Sequence, residues 1–195
     1  MKSNLITTKL NSKEQLKTKQ DINFLRKLKQ FSLEKSFRLV LSGGYGLDAI
    51  LGAITRPHND IDAIIYGQFS RKKAQSAITK LIHQLFPLST VAVHENDFML
   101  ALDINSPRFG ANLYYVETDN DPYRDINTLI LRSGRKHSND SRQFLPPVMG
   151  NLSGTQFESQ NPTFHLADIL SKRQNNQQAK HEQDILNLKK LLSQQ

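Results

Sequence analysis

Apolar residues recur along this chain first at helical spacing, then in short extended runs, and at helical spacing again near its end. Leu16, Ile22, Leu25, Leu28 and Phe31 follow a helical repeat, and Ser12 with Gln15 has the form of a capping box, so one amphipathic helix is expected over 12–36. Phe37–Leu41 suits a buried strand, and a small-residue turn leads from it into a short apolar helix over Tyr45–Leu51. A second strand is expected over Asp60–Tyr66. Ser70–Phe86 reads as a helix capped by Ser70, with Ala74, Ala77, Ile78, Leu81, Ile82 and Leu85 facing inward. Thr90–His94 and Phe98–Ile104 are strand-like, with a hairpin turn at Glu95–Asp97, and Ala111–Glu117 makes a further strand. Residues 118–162 are rich in Asp, Asn, Pro, Gly and Ser, with short strands expected only near Leu129–Leu131 and Phe144–Val148. From Pro162 two helices follow, parted near Gln174–Gln178, and the second carries the stripe Ile185, Leu188, Leu191 and Leu192. This order predicts an α/β (α+β) domain, a mixed β-sheet flanked by helices, over 12–150. A flexible tail at 1–11 precedes it and a small helical C-terminal unit at 151–195 follows.

A length of 195 residues suits that organisation, and 37% hydrophobic residues with a mean hydropathy of -0.52 describe a chain with a modest core. No apolar run is long enough to cross a bilayer. The N-terminus lacks the apolar centre of a secretory signal, and the expected location is cytoplasmic. Cys is absent, which excludes disulfides, thiolate metal sites and Cys nucleophiles. The net charge of +8 points to an anionic partner, yet much of the excess lies before residue 40, from Lys9 to Arg38. That segment is either a solvated helix face or an electrostatic funnel for a nucleotide or another polyanion.

Chemistry concentrates between Ser42 and Asp62. Residues i and i+2 of an extended chain share a face, so Asp60 and Asp62 stand side by side with Ile61 turned into the core. Two carboxylates so placed repel unless something positive lies between them, and a hard divalent cation with oxygen ligands is the natural occupant. Gly43 and Gly44 sit between a strand and a helix, where the chain turns sharply and brings backbone N–H groups and a helix N-terminus towards a phosphate. Ser42 adds a hydroxyl donor. A Rossmann dinucleotide site is also suggested by Gly44-x-Gly46-x-x-Ala49. However, its ribose-binding acid belongs at the far end of the second strand, whereas these acids precede the apolar run. No Walker-type phosphate loop is present.

Ser42-Gly-Gly-Tyr-Gly-Leu-Asp48 and Leu51-Gly-Ala-Ile-Thr-Arg-Pro-His-Asn-Asp-Ile-Asp62 resemble the nucleotidyltransferase superfamily, and within it the aminoglycoside-2''-adenylyltransferase and lincosamide nucleotidyltransferase branch. Gly43, Gly44, Asp48, Gly52, Thr55, Arg56, His58, Asp60 and Asp62 occupy matching positions. Tyr45 stands where Trp is usual. The Ala179–Leu188 segment looks like the family's Lys-x-x-x-Asp-Ile-x-x-Leu helix.

The resemblance implies transfer of AMP from ATP to a hydroxyl of a small-molecule acceptor, such as an antibiotic, with release of pyrophosphate. Asp60, Asp62 and Asp103 would hold Mg²⁺ and do the chemistry, and Asp103 is also the candidate base. Asn112 or Glu117 takes that third place if the hairpin register differs, and Asn112 there would remove the base. Ser42, Gly43, Gly44, Arg56, His58 and Lys180 are the expected nucleotide contacts. Arg56 has a second candidate role, pairing with Asp48, and His58 has a structural hydrogen bond within the loop. A strongly acidic cleft of the aminoglycoside type fits a +8 chain poorly. RNA or protein acceptors, a homodimer, and a non-catalytic, antitoxin-like binding module stay open.

Overall fold

The computed structural model describes residues 5–95, 100–106, 109–117, 147–173 and 179–193. The strand expected at Leu129–Leu131, the turn residues Asn96 and Asp97 and the break at 174–178 lie outside them.

Helix α1 (Ser12–Glu34) starts where expected but is capped one residue earlier, at Asn11. Asn11 accepts from the Glu14 N–H at 2.9 Å, and the Glu14 carboxylate accepts from the Asn11 N–H at 2.8 Å. That reciprocal pair makes the capping box, in place of Ser12 and Gln15. Ile22, Phe24, Leu25, Leu28 and Phe31 bury their side chains, while Leu16 stays in solvent.

Strand β1 (Arg38–Ser42) runs directly into α2 (Gly43–Leu51), which ends at Gly52 in the left-handed conformation. Then come β2 (Ile61–Gly67), α3 (Arg71–Leu85), β3 (Thr90–Glu95), β4 (Leu100–Ser106) and β5 (Phe109–Glu117). Ser70 takes the N-cap position of α3 without a side-chain cap hydrogen bond. A hairpin of β6 (Val148–Leu152) and β7 (Thr155–Ser159) precedes α4 (Pro162–Arg173) and α5 (Ala179–Leu192). The sheet order is β3-β4-β5-β2-β1-β7-β6. Strand β1 is antiparallel to β2 and parallel to β7, and β2 is parallel to β5.

The hairpin spans the expected boundary at 150: β7 pairs with β1 and carries the sheet to Ser159. Its short polar-apolar alternation, with Phe157 and Leu152 buried and Met149 exposed, is too brief to stand out in sequence.

One face of the sheet is apolar. Leu39, Leu41, Ile61, Ala63, Ile65, Leu102 and Leu113 join the inward residues of α1 and α3 in a single core. The intervening residues point to the other face, and among them are Asp62, Asn112 and Asp103. A smaller cluster of Leu47, Ile169, Ile185 and Leu188 fastens α2 to α4 and α5. The two C-terminal helices thereby stand over the glycine turn. Within the segment expected as a tail, the chain from Ile6 to Thr8 is hydrogen-bonded to α5 and to the loop before β2.

Candidate active site

Ser42 closes β1 directly opposite Asp62 in the register. Gly43, first residue of α2, has φ of +57°, and a Cβ there would come within 2.2 Å of Asp62 Oδ2. A Cβ on Gly44 would meet His58 Nδ1 at 2.1 Å. The glycine pair therefore lets the backbone close onto the side chains of Asp62 and His58, and any larger residue would push them away.

Asp60 lies just before β2 and is exposed, whereas Asp62 is half-buried on the strand. The structure brings them together through Asn112. Its Nδ2 donates to Asp62 Oδ1 at 3.0 Å and to Asp60 Oδ2 at 3.3 Å. Asn112 is the register partner of Asp62 on the adjoining β5.

Asp103 pairs with Asn112 from the next strand out, and so lies two strands from Asp62, on the order of 10 Å away. Its Oδ2 instead engages His94 Nε2 at 3.2 Å. The expected trio of Asp60, Asp62 and Asp103 is not assembled, because Asn112 occupies the strand between them. Glu117 sits at the opposite end of β5 and is exposed.

The loop leading to Asp60 is wired from below. Asp48 on α2 is fully buried and accepts from the Thr55 backbone N–H (3.1 Å) and hydroxyl (2.7 Å). Its other oxygen lies 2.6 Å from His58 Nε2. On the far side of that ring, Arg56 Nη1 stands 3.0 Å from His58 Nδ1. A guanidinium only donates, so His58 carries its proton on Nε2 and gives it to Asp48.

Arg56 is itself held by both oxygens of Asp184 on α5, at 2.9 and 2.7 Å, and pairs with that residue rather than with Asp48. Such a two-point, largely buried pair fixes geometry as well as charge. Tyr45 packs its ring 4.5 Å from that of His58. Lys180 is on α5, and its side chain is outside the described residues.

Arg56 and His58 join the glycine turn and the Asp60–Asp62 pair in lining an open cleft of about 500 Å³. Its floor is Gly43, Gly44, Asp60 and Asp62. Its walls include Thr8, His165, Asp168, Gln183 and Asp184, all five without a functional role in the sequence reading. Asp184 left a trace there, a carboxylate inside the apolar stripe around Ile185 and Leu188. The others left none, since only folding brings α4, α5 and the N-terminal segment over the glycine turn.

With this geometry the comparisons are decisive for architecture. The crystal structure of ANT(2'')-Ia in complex with adenylyl-2''-tobramycin superposes with a TM-score of 0.58, at 15% identity, over 88% of this chain and 89% of that one. The lincomycin-bound lincosamide antibiotic adenylyltransferase LnuA gives 0.56, at 16% identity, over 93% and 98%. The chain has the nucleotidyltransferase fold. Residues 24–95 of this nucleotidyltransferase-fold chain match the model of the aminoglycoside-2''-adenylyltransferase family, a stretch containing every motif residue from Ser42 to Asp62. The resemblance to the aminoglycoside and lincosamide branch rests on residues inside that matched stretch. A search of curated proteins found no match.

Proposed function

We propose that this nucleotidyltransferase moves a nucleoside monophosphate, AMP from ATP, onto a hydroxyl of a small-molecule acceptor, releasing pyrophosphate with the help of Mg²⁺. The observation that carries the reading is the convergence of Asp60 and Asp62 beside the Gly43–Gly44 bend, at the floor of the cleft. Two adjacent carboxylates suit a hard cation, and the glycine pair lets the backbone close onto Asp62. Asp60 and Asp62 are the residues that would hold it, and when bound it neutralises charge on the phosphate oxygens.

The remaining work falls to the protein. The N-terminus of α2 and the Ser42 hydroxyl, which caps no backbone N–H, face the triphosphate. Arg56 and His58 border the same space and hold Asp60 in place through the loop they stiffen. Reaction is in-line attack of the acceptor oxygen on the α-phosphorus, so positioning and charge stabilisation dominate the barrier.

Whole-chain charge misdescribes the acceptor side. Asp60, Asp62 and Asp168 line the cleft, while Asp184 is neutralised by Arg56, the one Lys or Arg of the described lining. An amine-bearing antibiotic suits that wall better than an anionic acceptor does.

Asn112 favours one second reading, in which the chain binds nucleotide with slow or no turnover, because among the described residues no third carboxylate stands beside Asp60 and Asp62 to take the hydroxyl proton. Both readings meet in one assay. With ATP, Mg²⁺ and a panel of aminoglycosides and lincosamides, pyrophosphate release is expected from the wild type and lost in Asp60→Asn/Asp62→Asn, with folding intact by circular dichroism. Turnover surviving in that variant would reject the site. Nucleotide binding without any release would select the second reading.

A further inference from the structure

Behind the apolar face of the sheet, away from the cleft, one sign of charge gathers on two helices. Two adjoining grooves, of about 390 and 680 Å³, run between α1 and α3 and on past Phe69. Phe69 follows β2, whose seven residues set it about 20 Å from Asp60.

Lys27, Lys35 and Lys80 line the first groove, and Lys35, Lys72, Lys73 and Lys80 the second, so Lys35 and Lys80 belong to both. All five are exposed. Glu34 is the one acid in either lining, and its carboxylate accepts from Gln30. Lys73 Nζ stands 4.3 Å from the centroid of the Phe69 ring, held there by the negative ring face. The other four lysines have no ion-pair partner among the described residues.

Cations facing one another across a groove repel, and a polyanion laid between them removes that repulsion while releasing its own counterions. Lys27 and Lys35 lie about 12 Å apart along the α1 axis, and Lys73 and Lys80 about 10 Å along α3. Charge therefore recurs along both walls instead of meeting at a point, which suits a linear polyanion. Shape decides among the linear and the flat. A bilayer surface would touch only the rims, whereas a flexible chain of phosphates follows the floor. Gln84 and Ser76 add uncharged groups that bond phosphate oxygens without reading bases.

We propose that the joined grooves of α1 and α3 bind single-stranded nucleic acid through its phosphates, without preference for sequence, at a site separate from the cleft. The inference does not depend on what the cleft transfers.

Fluorescence anisotropy of a labelled oligothymidine with the full chain tests it. With four phosphates neutralised, the logarithm of affinity is expected to fall against the logarithm of salt with a slope of about −3, a loss of about fiftyfold from 50 to 200 mM. Lys35→Gln/Lys80→Gln removes the two cations that both grooves share. It is expected to bind at least about tenfold more weakly at low salt and to show about half the slope. Both side chains are exposed, and circular dichroism checks that the fold is kept. Lys13→Gln/Lys19→Gln takes the same charge from exposed positions of α1 outside the grooves, and is expected to stay within about twofold of the wild type. Equal affinities in the two variants would overturn the proposal, because net charge alone would then account for binding. So would a wild type that leaves the oligothymidine free at low salt. If that chain sedimented with phosphatidylserine vesicles instead, the surface would belong to a membrane.

Discussion

Asp21 lies wholly inside the protein, on α1 beneath the loop that carries the site. The Tyr45 hydroxyl donates to its Oδ2 at 2.7 Å, and Lys17 Nζ approaches the same oxygen at 2.6 Å. Its Oδ1 has no hydrogen-bond partner. Burial therefore pushes its pKa above the ordinary 3.8, against the pull of Lys17 and Tyr45. The same burial, beside that carboxylate, raises the Tyr45 phenol and keeps it protonated. Because the folded value lies above the unfolded one, the folded state holds its proton longer, and stability falls as pH rises from 3.8 through the folded value. Asp21→Asn keeps an acceptor for Tyr45 and removes the titration. Its stability relative to the wild type is expected to rise with pH across that window and then level off, as read from urea midpoints at successive pH values. A constant difference at all pH values would show that Asp21 is not held protonated.

The elements that make the site form a clamp around the Thr55–Asp60 loop. Asp48 holds it from α2 and Asp184 from α5, while the N-terminal segment closes the third side. Asn187 donates to the Ile6 carbonyl and accepts from its N–H, both at 3.0 Å, and Gln183 Nε2 reaches the Ile6 and Thr55 carbonyls at 2.9 and 2.8 Å. Thr8 N–H donates to the Thr55 carbonyl at 2.7 Å. Each such bond contributes about 1 kcal/mol net, and at this size about 1 kcal/mol moves Tm by roughly 2–4 °C. Deleting residues 1–10 is therefore expected to lower Tm by at least about 5 °C and to weaken nucleotide binding, as followed by calorimetry. An unchanged Tm would make the segment a passive tail after all.

What was legible in the sequence follows the same division. Strands β1 and β2, helices α2 and α3, and the closeness of Asp60 to Asp62 are written in local periodicity and in glycine chemistry. The bond of Arg56 to Asp184 spans 128 positions, and nothing local encodes it. Neither could spacing decide between Asp103 and Asn112, because both alternate onto the same sheet face and only the order β4-β5-β2 puts the amide next to Asp62.

Across the whole molecule, charge is separated in a way that the total of +8 conceals. Lysines crowd the surface of α1 and α3, at Lys27, Lys35, Lys72, Lys73 and Lys80, around grooves lined by those two helices. The cleft at the other end of β2, where Asp60 and Asp62 sit, is acidic. An acceptor bearing several amines should thus be drawn to the cleft, whereas a nucleic acid should meet repulsion there and attraction only behind it. Ionic strength separates the cases, since screening shortens from about 10 Å at 0.1 M salt to about 3 Å at 1 M. Between these concentrations the KM of a polyamine acceptor is expected to rise several-fold with kcat little changed. An uncharged hydroxylated acceptor should show a nearly flat KM. A nucleic-acid acceptor would instead show a linear and much steeper loss of binding with the logarithm of salt. A polyamine KM that fell or held constant as salt rose would mean that Asp168 does not meet the acceptor.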